Sequence, residues 1–154
     1  MLTLELQAAL SAAVMEAQER RHEYVTLEHV LLALTHDERG LQVLRSVGAD
    51  VAVLRQQLQH YLDKELERLA ELPEGYEPAP TAAFQRALRR AVLHVRGAGR
   101  DEADGGDLLI ALFAERNSHA VSLLEDQGVG RLDLMEYVAH GVTRIGPDET
   151  DRPL

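Results

Sequence analysis

With 154 residues, 45% of them hydrophobic, and no cysteine, the chain can bury a core without a disulfide, and it has no thiolate metal site or cysteine nucleophile. Its formal net charge of −10 argues against a surface for nucleic acid or anionic membrane, both of which need a basic face. No basic-then-apolar leader opens the chain and no apolar run approaches bilayer length, so a soluble, cytoplasmic protein is expected.

Apolar residues recur at spacings of three and four, the period of an amphipathic helix. The first helix carries Leu6, Ala9, Leu10, Ala13, Val14 and Ala17. Thr26 is placed to cap a second helix with Leu27, Val30, Leu31 and Leu34 inward. A short third helix uses Leu41, Val43, Leu44 and Val47, and Gly48 suits the left-handed position past its end. Asp50 caps a fourth, with Val51, Leu54, Leu58, Tyr61 and Leu62 inward. The segment 66–80 contains three prolines and Gly75, which exclude a continuous helix.

The pattern then starts again. Leu6, Leu10, Val14, Leu31 and Leu34 align without a gap on Phe84, Leu88, Val92, Leu109 and Leu112 at an offset of 78. Thr81 caps a fifth helix that Gly97 and Gly99 end, and Asp104 caps a sixth where Thr26 capped the second. Ser118 caps a seventh helix with Val121, Leu123 and Leu124 inward. Gly128 matches Gly48 at an offset of 80, so two residues are inserted between the second and third helices of the second copy. Leu132, Met135 and Val138 complete an eighth helix before Gly141. No run alternates with the period of a strand. The expectation is an all-α double four-helix repeat with pseudo-twofold symmetry, because two units with one apolar face each must pack together. Its parts are a first repeat at 1–65, a linker at 66–80, a second repeat at 81–145 and a polar tail at 146–154.

Catalytic motifs are missing. Neither G-x-x-x-x-G-K-[ST] nor G-x-S-x-G occurs, and Gly97-Ala98-Gly99 follows a helix rather than a strand, so it reads as a helix end. The cluster His22-Glu23-Tyr24-Val25-Thr26-Leu27-Glu28-His29 is not a zincin motif. Its second histidine falls seven residues after the first, with a helix cap between them, so the imidazoles need not converge. His29, at the start of an apolar helix, reads as a packed, hydrogen-bonded histidine. His22 and Glu23 are expected in an exposed loop, with His22 a weak candidate for adventitious zinc. Thr81, Arg86, Arg89 and Arg90 form a basic face on the fifth helix. That face is either a solvated stripe or half of a mixed-charge docking surface whose other half is Glu23 and Glu28.

The stretch R-H-E-Y-V-T-L-E-H-V-L-L-A-L at 21–34, together with T-A-A-F-Q-R-A-L at 81–88, resembles the Clp amino-terminal domain, most of all the ClpA type. The resemblance covers residues 1–145. It implies a non-catalytic domain, without a cofactor, that precedes two ATPase modules in a hexameric unfoldase feeding the ClpP peptidase. It further implies that the domain receives substrate polypeptides and docks a ClpS-like adaptor, with Glu23, Glu28, Thr81 and Arg86 in adaptor-facing positions. The alternative is a stand-alone Clp-repeat protein that reads modified peptides such as phosphoarginine substrates. That ClpC-type reading uses an acidic residue in each repeat. Here Glu28 supplies the first and Gly106 stands at the second, which weakens a symmetric two-site reader.

Overall fold

The computed structural model describes residues 1–141 and 143, and its regular secondary structure is almost entirely helix. In chain order the elements are α1 (Leu4–Glu19), β1 (Tyr24–Val25), α2 (Leu27–Leu34), α3 (Glu38–Ser46), α4 (Val51–Lys64), β2 (Ala79–Pro80), α5 (Ala82–Gly97), α6 (Gly105–Leu112), α7 (His119–Asp126) and α8 (Arg131–His140). The expected eight helices are present. The expected tail, 146–154, lies outside the described residues.

The helix starts follow local chemistry. Thr26, Asp50, Thr81, Asp104 and Ser118 each accept a backbone N–H of the following turn through the side chain. Thr3 and Asp37 cap α1 and α3 in the same way. Gly48, Gly99, Gly128 and Gly141 all take the left-handed backbone that ends a helix. Arg21, at the position equivalent to Gly99, is a non-glycine residue with positive φ, 61°.

α2 and α6 are the central helices. Leu31, Leu34, Leu108, Leu109 and Leu112 have no exposed surface, and residues of both repeats join one hydrophobic core. α1 packs on α2 and α5 on α6, while α3 reaches α6 and α7 reaches α2. Each half is therefore closed by a helix of the other. Met135 and Val138 of α8 pack against the core as their spacing suggested, but Leu132 does not. Leu134 is the buried residue of α8, and Leu132 is 66% exposed. α8 lies against α6 and α3 alone among its stronger contacts, so one leucine per turn reaches the core.

Two short backbone ladders stitch the halves together. Residues too short to show strand periodicity in the sequence pair in parallel, Tyr24 with Ala79 and Val25 with Pro80. Leu2 pairs with Ala103 in an isolated bridge. Adding 78 to Leu2 gives Pro80, and subtracting 78 from Ala103 gives Val25, so the second ladder is the symmetry mate of the first. The segment that opens each repeat thus hydrogen-bonds to the first loop of the other. Thr3 N–H donates to the Ala103 carbonyl (3.0 Å) and Thr81 N–H to that of Val25 (3.1 Å).

The linker also lies against the first repeat. Arg21 donates from Nε to the Leu69 carbonyl (3.1 Å) and from Nη2 to that of Ala70 (2.9 Å), and the Tyr76 hydroxyl donates to the His22 carbonyl. The Leu69 N–H returns a bond to the Arg21 carbonyl (2.8 Å). These bonds offset the strain of a left-handed arginine, which is of order 1 kcal/mol. No helix among the described residues is long and apolar enough to cross a membrane.

Candidate functional site

The R-H-E-Y loop is built on two histidines. The spacing left their convergence open, and the fold brings them together: His22 Nδ1 and His29 Nε2 are 2.8 Å apart. The backbone fixes their protons. Thr26 N–H donates to His29 Nδ1 (2.9 Å), so that nitrogen is an acceptor and the ring proton of His29 sits on Nε2. His29 Nε2 therefore donates to His22 Nδ1, and the proton of His22 sits on its own Nε2. His29 also completes a reciprocal cap with Thr26 at the start of α2.

The expectation that His22 is exposed is corrected. It is 2% exposed, because the linker and its Tyr76 fold over the loop, whereas Glu23 is exposed as expected. Burial first, then the positive charge of Arg20, holds the His22 pKa below its ordinary value. Burial and then His22 lower that of His29 to about 3. A zinc ion does not fit here. His22 Nδ1 is already an acceptor for His29, Nε2 carries the proton, and no group of three or more ligating side chains is assembled among the described residues.

Glu28, on the first turn of α2, is also buried, at 6% exposure. Its Oε2 accepts the Ser118 hydroxyl (2.8 Å) and the Ala120 N–H (2.8 Å). A carboxylate at the start of a helix satisfies orphan N–H groups and the helix dipole together. Glu28 thus joins the first repeat to the start of α7 in the second. We expect Glu28→Ala to cost about 1.5–3 kcal/mol, the range for hydrogen bonds to a charged group. Amide exchange at Ala120 should speed up with it. An unchanged melt and unchanged exchange would mean that Glu28 does not hold α7.

Three of the four residues proposed to face a partner line one cleft of about 450 Å³ at the junction of the repeats: Glu28, Thr81 and Arg86. Glu23 does not line it. On the outer wall, Arg86 is exposed and donates twice to Glu115, from Nη2 to Oε1 (2.6 Å) and from Nε to Oε2 (3.2 Å). Arg90 Nη2 shares the same Oε2 at 3.3 Å. Hydrogen bonding to Arg86 holds the Glu115 carboxyl below the usual carboxylate range, and Arg90 adds to this. Arg116 lines the cleft as well, so the lining sets two arginines, Arg86 and Arg116, beside two carboxylates, Glu28 and Glu115. The rim is polar and mixed in charge, which suits recognition of a folded or peptide partner better than bond-making chemistry.

The symmetry-related position differs. A Cβ at Gly106, the counterpart of Glu28, would come within 3.2–3.3 Å of Asp104, Val43 and Val138. One at Gly105 would meet the Asp37 carboxylate at 2.5 Å. Glycines at 105 and 106 thus let α3 and α8 pack closely on the start of α6, where Thr3, Asp104 and Gly105 line a smaller cleft of about 310 Å³, while the start of α2 lines the junction cleft. Sequence reasoning missed Glu115, Arg116, Tyr61 and His119 as parts of this region. Only the folded loop 113–118 brings the first two to α5.

The family model of the Clp repeat (R) N-terminal domain matches residues 1–127. A ClpA homolog protein of Fuscovulum blasticum is 40% identical over 149 residues, which cover 97% of this chain and 19% of that protein. Among solved structures, the ClpV N-domain in complex with a VipB peptide superposes with a TM-score of 0.72 at 26% identity, covering 90% of this chain and 85% of that one. The Hsp104 N-terminal domain of Candida albicans superposes with a TM-score of 0.76 at 12% identity, covering 92% and 93%; at that identity the likeness is one of fold.

Proposed function

Because the chain belongs to the Clp repeat N-terminal domain family, we propose that it is the non-catalytic docking domain of a ClpA-like unfoldase. It receives a ClpS-like adaptor and substrate polypeptides for degradation by ClpP. The chain spans about a fifth of the curated ClpA homolog it matches, and the proposal gives the remainder to ATPase modules assembled as a hexamer. The observation that carries the reading is the cleft at the repeat junction, where Glu28, Thr81 and Arg86 meet behind an exposed, mixed-charge rim. The peptide bound by the similar ClpV N-domain supports a polypeptide as the ligand of this fold.

Charge at such a rim acts mainly on association rate and specificity. Arg86→Glu places a carboxylate beside Glu115 and reverses the charge offered to the partner. It is expected to weaken adaptor binding about 10-fold or more in titration calorimetry. The melting temperature should stay within a few degrees, since surface charge changes seldom exceed ~0.5 kcal/mol. Wild-type affinity in the variant would remove Arg86 and this rim from the docking site.

A phosphoarginine reader acting through Glu28 would have to release the bonds from Ser118 and Ala120 to free that carboxylate. The geometry therefore favours docking at the rim over recognition at Glu28.

A further inference from the structure

The junction cleft has a neighbour of opposite character. Between α4 and α7 lies a second cleft of about 580 Å³, and the two share Tyr61 and His119. The shared rings are stacked, centroids 4.3 Å apart and planes within 14° of parallel. Their arrangement is held from below, because His119 is the first residue of α7 and Glu28 fixes the start of that helix through Ser118 and Ala120.

The charges around the rings differ on the two sides. The junction cleft is lined by Arg86 and Arg116 together with Glu28 and Glu115, whereas no lysine or arginine lines the α4–α7 cleft. Its charged wall residue is Glu65, and the amides of Gln56 and Gln57 supply further acceptors. Burial, and then the carboxylates of Glu28 and Glu65, push the Tyr61 phenol above its ordinary pKa, so the ring sits in a negative field. An aromatic face in such a field attracts a cation. A planar guanidinium also stacks on the ring and donates in its plane to carboxylate and amide oxygens, which an ammonium does less well.

We propose that the α4–α7 cleft is a binding site for an arginine side chain of a partner polypeptide, stacked on the Tyr61–His119 pair and paired with Glu65. The site deepens the docking reading and rests on it only in that the ligand is a polypeptide. A partner segment crossing the shared rings would offer arginine on the α4 side and a carboxylate on the Arg86 side.

The test uses a probe that needs no adaptor. The blocked tripeptide acetyl-glycyl-arginyl-glycine amide is titrated into the ¹⁵N-labelled domain at pH 8. Saturable amide shifts are expected around Tyr61 and His119. The citrulline analogue, which has the same shape without the charge, should bind about 3- to 5-fold more weakly, as should the Glu65→Gln and Tyr61→Leu variants, the fold-change of one cation–π or surface charge contact. Glu65 is exposed at the end of α4, so its variant tests the site even if Tyr61→Leu perturbs the fold. Shifts elsewhere only, or equal binding of the arginine and citrulline peptides, would overturn the site. Arg86→Glu should leave tripeptide binding within about twofold. If it abolishes adaptor binding while the tripeptide fails to bind, docking stands and this cleft does not. If the tripeptide binds but the adaptor ignores Arg86, the cleft stands and the adaptor reading falls.

Discussion

Truncating Leu31 or Leu109 to alanine is expected to destabilise the protein by about 2–5 kcal/mol in either case. The two residues are 78 positions apart, occupy the same place on α2 and α6, and have no exposed surface. Each truncation removes three carbons from a close-packed site. The loss is the transfer free energy of those atoms plus a term for the cavity they leave, since the surroundings collapse only in part. The two values should be similar, because each leucine lies on a central helix flanked by elements of both repeats. Denaturant unfolding followed by circular dichroism checks this. A single cooperative transition is expected for the wild type and both variants, because both repeats contribute to one continuous core. Near-neutral midpoints would mean that these leucines do not face the core. Separate transitions for the two halves would mean that the repeats fold independently.

The second large effect is acid sensitivity of the first repeat. The His29 pKa is about 3 in the folded protein, against an ordinary histidine value of 6.5. Between these values the unfolded chain binds a proton that the folded one refuses. The resulting stabilisation is complete above pH 6.5 and is lost as the pH falls through that range, at up to about 1.4 kcal/mol per pH unit. The His22 pKa is lowered as well and acts in the same direction. The geometry gives the reason. A proton on His29 Nδ1 would face the Thr26 N–H, and one on His22 Nδ1 would face the N–H of His29. Either breaks the chain of bonds that closes the loop and caps α2.

Carboxylates elsewhere also respond to acid, so the histidines must be separated from them. The second repeat offers the control. At an offset of 78, His22 corresponds to Arg100 and His29 to Asp107, and these form a two-pronged ion pair with bonds of 2.7 and 3.2 Å. Asp107 also accepts the Asp104 N–H (2.9 Å), as His29 accepts that of Thr26. The double variant His22→Arg with His29→Asp copies that pair into the first repeat. The wild type is expected to lose about 2–3 kcal/mol more than the double variant between pH 6.5 and 4.5, measured by urea unfolding at each pH. Parallel pH profiles would show that the histidines do not titrate on unfolding.

The same comparison shows what the sequence made legible at the site. Thr26, Asp50, Thr81, Asp104 and Ser118 could be read as caps because a cap acts within three residues of itself. Glu28 could be placed at the start of α2, but not assigned its partners. Ser118 and Ala120 are 90 and 92 residues away, and a buried glutamate at a helix start has the same local sequence as an exposed one. His22 read as exposed because its loop is polar, and the linker that covers it has no periodicity to announce where it lies. The alignment of His22 and His29 with an arginine and an aspartate was a readable sign that the pair interacts. Leu132 and Leu134 show the complementary failure: the spacing fits either, and the packing of α8 on α3 and α6 chooses Leu134.

The sequence by itself determined the eight helices, most of their ends and the twofold relation between the halves. These depend on short-range periods and caps, and on apolar positions that recur in both copies because both must bury one face. Tertiary structure alone decided how the halves exchange their opening segments and that Glu28, Asp37 and Asp107 are buried carboxylates. α2 and α6 share their apolar positions and are covered by matched helices, α2 by α4 and α7 and α6 by α8 and α3, but their first turns differ: Glu28 bonds to the start of α7, and Gly106 has no side chain to do the same. The fold is symmetric because its core repeats. The candidate site is not, because Glu28, which binds the start of α7, has only a glycine, Gly106, as its counterpart.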